Sequence, residues 1–506
     1  MLFWRAREDI AMKTTLSRRT FLRSGLSGAL AASLPRRIWA AELPSDITAM
    51  TALQLSAAIK AKLVSCEDVM LAYLAHIKQH NPVYNAIVSM PKDDTLLSQA
   101  QEADAALARG EYRGWMHGMP HAVKDLQPVA GLRFTSGSPI FADRVAEEDS
   151  AMAAKLRATG AIFIGKTNVP EFGLGSQSYN QVFGPTASAW NPDLTSGGSS
   201  GGAASGLGTH MLPVADGSDM MGSLRNPAAF NNVIGFRPSV NVISGVETEP
   251  RPLSTSGPMG RNTADTVALL NTIAGSPLSG TLQALELDSV KLAWMGNLGG
   301  YLAMEEGITD LCEDSLDLLS SAGAVVETAV PQFTLSDLWL CWTTLRHGGR
   351  TSMRRYWEDP ATREMLKPEL AYEIEDSLSI TAGDTANANR IRRAWDRELD
   401  RLFKQYDFLV LPTAQVFPYD KNLSWPRQIA DRRMDTYHRW MEVVMYGSLG
   451  GLPIVNVPVG FDAQGRPMGM QVMGPYGADQ KVLEFAFAYE GLTDFLDRRP
   501  ELVSAA

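Results

Sequence analysis

The sequence is poor in cysteine and histidine, and this scarcity argues against several classes of protein. Its 506 residues include three cysteines, Cys66, Cys312 and Cys341, which are too few and too scattered for a disulfide framework or a cysteine-ligated metal site. We expect all three to be free thiols. The seven histidines show no metal-ligand spacing, and no motif implies an organic cofactor, so the sequence predicts neither a metal nor a cofactor.

Long apolar runs and a surplus of positive charge are also missing. No stretch is long and apolar enough to span a bilayer as a helix. The formal net charge is −10 at pH 7, and an acidic surface disfavours nucleic acid and anionic membranes as partners. With 45% hydrophobic and 20% charged residues, the composition is that of a globular protein with a large core.

The N-terminus has the features of an export signal. Residues 17–23 contain the pair Arg18-Arg19 in a twin-arginine context, and a modest apolar run follows over residues 25–34. Cleavage near Ala40 would remove eight basic and two acidic residues, which leaves a net charge of −16. We therefore predict a twin-arginine signal peptide over residues 1–40, a periplasmic location, and a catalytic domain over residues 41–506.

Predicted helices and strands alternate along the rest of the chain, with no internal repeat and no convincing linker. Ser65 is a plausible N-cap, with Asp68 in the capping-box position, and the helix that it begins is expected to stop at Asn81-Pro82. Residues 121–123 read as a short buried strand that ends at Lys124. The pattern predicts an α/β fold, a single domain in which a large mixed β-sheet is covered by helices on both faces.

The stretch from Thr195 to Arg225 carries the strongest chemical pattern. Residues 197–202, Gly-Gly-Ser-Ser-Gly-Gly, have almost no side-chain bulk, so their backbone can approach a ligand closely. Ser199 and Ser223, 24 residues apart, each lie beside glycines, as a two-serine nucleophilic site requires. A flexible linker is disfavoured because apolar segments flank the run. A nucleophile elbow, G-x-S-x-G, would need a preceding strand, whereas residues 188–195 are expected to be turn-like.

These motifs resemble the amidase signature family, in which a Ser–cis-Ser–Lys triad cleaves amides. The shared pattern is GGSSGG followed by Gly217-Ser-Asp-x-x-Gly-Ser-x-Arg, together with an upstream Gly-Met-Pro-x-x-x-Lys-Asp that ends at residue 125. The resemblance implies that Ser223 is the nucleophile, Ser199 the bridging serine after a cis Gly198–Ser199 bond, and Lys124 the base. A lone lysine would otherwise be a solvated surface charge.

The resemblance also implies the surroundings of the triad. Backbone N–H groups of four residues would bind the oxyanion: Met220, Met221, Gly222 and Ser223. Four further residues would support the site: Gly198, Ser200, Asp219 as a brace of the loop, and Arg225 as its orienting partner. Met221 stands where the family most often has glycine. A methionine there requires a negative φ at residue 221, and its side chain would narrow the acyl pocket.

The expected activity is hydrolysis of a carboxylic amide through a serine acyl-enzyme, releasing a carboxylate and ammonia or an amine. An esterase, a hydrolase of cyclic or peptide amides, and a non-catalytic amidase-like subunit stay open as alternatives. The expected partner is a small-molecule amide, and a homodimer is possible. Residues 280–440 diverge from the family pattern, so specificity is expected there, with four unranked candidates: Trp342, His347, Tyr356 and Trp425.

Overall fold

The architecture is described by a computed structural model over residues 46–278 and 280–505. The predicted signal peptide, residues 1–40, lies outside the described residues. Helices are numbered α1 to α15 in chain order: Ala52–Lys60, Cys66–Tyr84, Asp93–Ala108, Ala151–Ala158, Gly201–Gly208, Arg225–Asn231, Thr263–Ile273, Ile308–Ser321, Leu335–Gly348, Arg354–Glu358, Pro360–Arg363, Pro368–Ser377, Ala382–Phe403, Met445–Gly450 and Asp479–Glu490.

Strands β1 to β15 form four sheets. In chain order they are Ile87–Val88, Pro120–Lys124, Ile162–Thr167, Ala187–Ser188, Asn191–Thr195, Val214–Asp219, Ile234–Arg237, Thr255–Gly260, Lys291–Trp294, Val325–Thr328, Phe408–Pro412, Gln428–Ile429, Arg432–Arg433, Ile454–Phe461 and Pro467–Met473. The largest sheet has eight strands in the order β10-β9-β11-β15-β14-β7-β8-β6. A three-stranded sheet has the order β1-β3-β2, and β4-β5 and β12-β13 are two-stranded.

The eight-stranded sheet is mixed and is covered on both faces. β9 pairs in parallel with both β10 and β11, whereas the pairs from β11 through β15, β14, β7 and β8 to β6 are antiparallel. Every residue of β11 and β15 is buried, on the outward as well as the inward side of the pleat. A strand buried at consecutive positions must be covered from both sides. The predicted fold, a single domain with a large mixed sheet and helices on both faces, is confirmed.

Local sequence signals place several elements as expected. The Ser65 side chain accepts from the Asp68 N–H and the Asp68 carboxylate accepts from Ser65 in a full capping box, so α2 begins at Cys66. β9, α8 and β10 form a βαβ unit whose two strands are parallel. Helix α13 buries its apolar stripe, which includes Ile391 and Trp395, in the core. All three cysteines are free and buried.

Two local predictions were wrong. Helix α2 continues past Asn81-Pro82 to Tyr84, with Pro82 inside its last turn. The Asn81 carboxamide accepts from the Ala86 and Ile87 N–H groups and donates to the Ile87 carbonyl, so it organises the chain just after the helix rather than ending the helix. The stretch expected to be turn-like contains the strand Asn191–Thr195, which pairs with Ala187–Ser188 across a tight connection.

The two larger sheets are joined beside the predicted site. Strand β2 belongs to the three-stranded sheet and ends at Lys124, whereas β6 forms one edge of the eight-stranded sheet. On β6, the Asp216 carboxylate accepts from the backbone N–H of Lys124 at 3.2 Å and from His121 Nε2 at 3.0 Å. Asp216 therefore fixes the end of β2 against β6. Within the described ranges, no helix is long and apolar enough to cross a membrane.

Candidate active site

A cleft opens where β6 ends, and both predicted serines line it. Ser199 lies in the connection between β5 and α5, and Ser223 lies in the loop between β6 and α6. The two loops touch, because the Ser200 N–H donates to the Ser223 carbonyl at 3.2 Å. The structure thus brings Ser199 and Ser223, distant in sequence, to one cavity wall.

Lys124 lies behind this wall and points its amine at hydroxyl groups. Its Nζ is 2.8 Å from Ser199 Oγ, 2.8 Å from Ser200 Oγ and 2.9 Å from Ser218 Oγ. The side chain is 1% exposed, and burial lowers its pKa to about 7, against the opposing attraction of Asp216 and Asp219. A large fraction of this lysine is therefore neutral near pH 7, as a proton acceptor must be.

The Gly198–Ser199 peptide bond is cis, as the resemblance implies. Gly198 is also a position of close backbone approach, because a Cβ there would lie 2.9 Å from the backbone nitrogen of Gln177. A side chain at residue 198 would push this segment away from its neighbour. Glycine at 198 is thus required by packing.

The loop that carries Ser223 is held by Asp219. One oxygen of its carboxylate accepts from the Gly222 N–H at 2.9 Å, and the other accepts from the Leu224 N–H at 3.1 Å. Arg225 donates to the same carboxylate from Nε and Nη2, and to Gln471 and Ser448 beyond it. Burial alone would raise the pKa of Asp219, but Arg225 and Arg237 hold it below its usual value. Asp219 thus contacts both the Ser223 loop and Arg225, and the supporting roles predicted for these two residues stay predictions.

The expected oxyanion donors divide into two groups. Among the described residues, no protein acceptor lies within hydrogen-bond distance of the backbone N–H groups of Met220, Met221 or Ser223. The Gly222 N–H differs, because it is already donated to the Asp219 carboxylate. The prediction that Gly222 is an oxyanion donor is therefore corrected. Gly222 serves the turn instead: its φ is +82°, and a Cβ there would lie 2.8 Å from Val444.

Met221 fits the loop without strain. A methionine at this position, where the family most often has glycine, requires a negative φ. Met221 is not among the residues with positive φ, so this requirement is met. Its side chain is buried and lines the cleft beside Met220. The two methionines give this part of the wall an apolar and adaptable surface.

Sequence reasoning missed several residues of the cleft. The Ser218 hydroxyl contacts Lys124, but the sequence analysis did not predict a role for it. Ser218 lies one residue before Asp219, within the glycine-serine-rich stretch. From the divergent region come Arg346 and Arg350, and Met441 lies just beyond it. None of the four specificity candidates lines the cleft. Trp342 and His347 are buried in the core of the region, Trp425 lines a separate pocket, and Tyr356 stacks on Phe172 behind the wall.

One cluster in the described residues has the composition of a metal site: His347, Glu373 and His438. However, the two Glu373 oxygens accept from Arg346 Nε at 2.5 Å and Arg350 Nε at 2.6 Å. The two imidazoles bond to each other at 3.1 Å. The atoms that would have to bind a metal ion thus already contact the two arginines or each other. The cluster therefore does not fit a cation site.

Comparisons with known proteins identify the family of the chain. The family model described as Amidase matches residues 68–483. An acylamidase of Rhodococcus erythropolis is 30% identical over 477 residues, covering 89% of this chain and 97% of the relative. A glutamyl-tRNA(Gln) amidotransferase subunit of Thermosynechococcus vestitus is 30% identical, covering 87% and 97%. The crystal structure of a bacterial aryl acylamidase of the amidase signature family superposes with a TM-score of 0.79 at 25% identity, covering 88% and 98%.

Proposed function

The chain belongs to the amidase signature family, and from that premise we propose that it hydrolyses a carboxylic amide through a serine acyl-enzyme. The products are a carboxylate and ammonia or an amine. The observation that carries the proposal is the buried Lys124 amine 2.8 Å from Ser199 Oγ, with Ser223 on the same cleft. A buried lysine with a pKa near 7 has no evident structural purpose beside three serine hydroxyls.

Acylation begins with Ser223. A serine hydroxyl is too weakly acidic to attack unaided, so its proton passes to Ser199 Oγ as the Ser199 proton passes to neutral Lys124. Ser223 Oγ bonds to the carbonyl carbon, and the carbonyl π electrons move to oxygen. In this proposal the backbone N–H groups of Met220, Met221 and Ser223, for which no hydrogen bond to the described residues is found, stabilise that oxyanion. Losing one such donor typically costs about 3 kcal/mol of transition-state stabilisation.

Collapse of the tetrahedral intermediate breaks the C–N bond. The leaving nitrogen takes the proton from protonated Lys124 by way of Ser199, so that it departs as a neutral amine. Water then attacks the ester carbonyl and gives a proton to Lys124 along the same path. Breaking of the C–O bond returns the proton to Ser223 and releases the carboxylate.

The test is labelling and turnover of a Ser223→Ala variant. This variant should neither hydrolyse amides nor react with a fluorophosphonate, because the covalent bond forms at the missing oxygen. Replacement of an exposed serine outside the cleft, Ser379→Ala, is the matched control and should label like the wild type. An acyl-enzyme trapped on Ser223→Ala would show that another residue is the nucleophile.

Two alternatives use the same residues. The triad would equally support an esterase or a hydrolase of cyclic or peptide amides, which a hydrolysis screen across those substrate classes would separate.

The similarity to a glutamyl-tRNA(Gln) amidotransferase subunit favours a second candidate, a protein that acts within a complex. Efficient hydrolysis by the purified chain, whether a monomer or a homodimer by light scattering, would exclude a need for other subunits.

A further inference from the structure

The cleft carries an unusual charge pattern. Among the described residues that line it, Arg346 and Arg350 are the only charged side chains, and the rest are serines, glycines and apolar residues. Arg346 lies in the last turn of α9, and Arg350 follows just after that helix ends. No carboxylate among the described residues lines the cleft to neutralise them.

Both guanidinium groups are held in place by one buried acid. Glu373, fully buried on α12, accepts from Arg346 Nε and Arg350 Nε. Arg346 also donates to the Tyr437 hydroxyl at 2.9 Å. Burial would raise the pKa of Glu373, but the two guanidiniums hold it well below its usual value, so the acid is ionised. Two positive charges on one negative charge leave a surplus of one positive charge at the cleft wall.

Several donors of this pair remain free for a ligand. Arg350 uses only Nε, and neither of its Nη atoms has a hydrogen-bond partner among the described residues. Arg346 Nη1 lies 3.4 Å from Met220 Sδ, and a thioether is a weak acceptor. A planar guanidinium with free Nη groups matches a carboxylate in shape, and its charge-assisted hydrogen bonds are strong ones.

From these contacts we propose that Arg350, with Arg346 beside it, is a substrate-binding subsite for a carboxylate group. The preferred substrates would be amides that also carry a free carboxylate, either on the acyl part or on the amine part. This inference rests on the proposed amidase function and names the substrate class of that same site. A neutral amide would leave the surplus positive charge and the free Nη donors without a matching acceptor.

The experiment compares substrates matched in size that differ by one carboxylate. On the acyl side, the mono-4-nitroanilide of glutaric acid is compared with the 4-nitroanilide of pentanoic acid. On the amine side, 4-butanamidobenzoate is compared with N-(4-methylphenyl)butanamide. We expect kcat/KM of the wild type to favour the anionic member of one pair, and Arg350→Met to reduce that preference by about tenfold or more, mostly through KM.

Two further variants distinguish recognition from general damage. Arg350→Lys keeps the charge but loses the paired Nη donors, so it should retain part of the preference. Arg354→Met is the matched control, because Arg354 is exposed, pairs with Glu358 and does not line the cleft. It should keep the full preference. Equal preference in wild type and Arg350→Met, for both pairs, would overturn the subsite.

A binding measurement separates failure of this inference from failure of the proposed function. Glutarate should slow fluorophosphonate labelling of wild-type Ser223, pentanamide should slow it less, and Arg350→Met should lose the difference. If Ser223 labels normally but glutarate protects no more than pentanamide, and 4-aminobenzoate protects no more than 4-methylaniline, the carboxylate subsite is wrong and the amidase proposal stands. If Ser223 does not label at all, the proposed function itself is wrong.

Discussion

At the scale of single residues, the site depends on the protonation of Lys124. Among the described residues, its amine has three hydroxyls within 2.9 Å and no carboxylate in contact, so the attraction of Asp216 and Asp219 offsets only part of the cost of burying its charge. Only the neutral form has a lone pair to accept the Ser199 proton. Burial, which lowers the pKa of Lys124 to about 7, is thus what makes the residue a base.

The first residue-scale prediction is a pH profile. For a neutral amide substrate, kcat/KM should rise as pH increases through about 7, because Lys124 loses its proton there. Lys124→Ala should fold, lose most amidase activity and no longer show that inflection. A profile flat down to pH 5, with chemistry shown to limit the rate, would contradict the assignment of Lys124 as the base.

Individual residues show where sequence reasoning succeeds and where it stops. Ser199 and Ser223 stand out in short glycine-rich motifs, whereas Lys124 is selected only because its segment resembles the amidase signature family. Arg350 offers no such signal, because an arginine near a helix end is usually a solvated charge. Its position on the cleft depends on Glu373, 23 residues away, and on how α9 and α12 pack.

At the scale of elements, the loop between β6 and α6 holds most of the residues to which the proposal gives a catalytic role. The proposed oxyanion donors and nucleophile of this loop are held by the Asp219–Arg225 ion pair, in which both side chains are 0% exposed. Arg225 in turn donates to the Val444 carbonyl and to Gln471 of β15. The pair therefore ties the loop to the central strands of the sheet.

Removal of Arg225 should be costly, because it leaves a buried carboxylate with only the more distant Arg237. We expect Arg225→Met to lower the free energy of unfolding by about 3 to 5 kcal/mol, measured by urea denaturation. The control is Arg109→Met, since Arg109 and Glu111 form an exposed pair that contributes little. Near wild-type stability and activity in Arg225→Met would show that the pair does not hold the loop.

Element boundaries were predicted best where capping residues mark them. Ser65 and Asp68 mark Cys66 as the first residue of α2, because each of their side chains accepts a hydrogen bond from the other's backbone N–H. The other end was misjudged at Pro82: the proline loses the one hydrogen bond that its own N–H would donate, but the last turn is still closed by the Asn85 N–H, which donates to the Asn81 carbonyl. The strand Asn191–Thr195 was missed because Asn-Pro suggests a turn, while its pairing partner lies across a tight connection.

At the scale of the whole molecule, the site is an interface between two sheets. The proposed base, Lys124, ends a strand of the three-stranded sheet, and the proposed nucleophile, Ser223, follows the edge strand of the eight-stranded sheet. Asp216 joins them through the backbone of Lys124 and through His121. Motif resemblance alone could predict that these segments meet, because no local rule relates residues nearly a hundred positions apart. Residues 280–440, which diverge from the family pattern, offered no such guide to the cleft.

The last prediction concerns the destination of the whole chain. We propose that the protein is exported in folded form by the twin-arginine route, on the strength of Arg18-Arg19 and the apolar run behind them. A core built from residues that are distant in sequence, and a site assembled from two sheets, suit a protein that folds before it is moved. The double replacement Arg18→Lys/Arg19→Lys keeps the charge but removes the recognised pair, so it should retain the protein in the cytoplasm with its amidase activity intact. The measurement is amidase activity and protein level in periplasmic and cytoplasmic fractions, with the matched double replacement Arg36→Lys/Arg37→Lys as the control that should still export. Equal periplasmic levels of wild type and the Arg18-Arg19 variant would end the twin-arginine proposal and would leave the amidase proposal untouched.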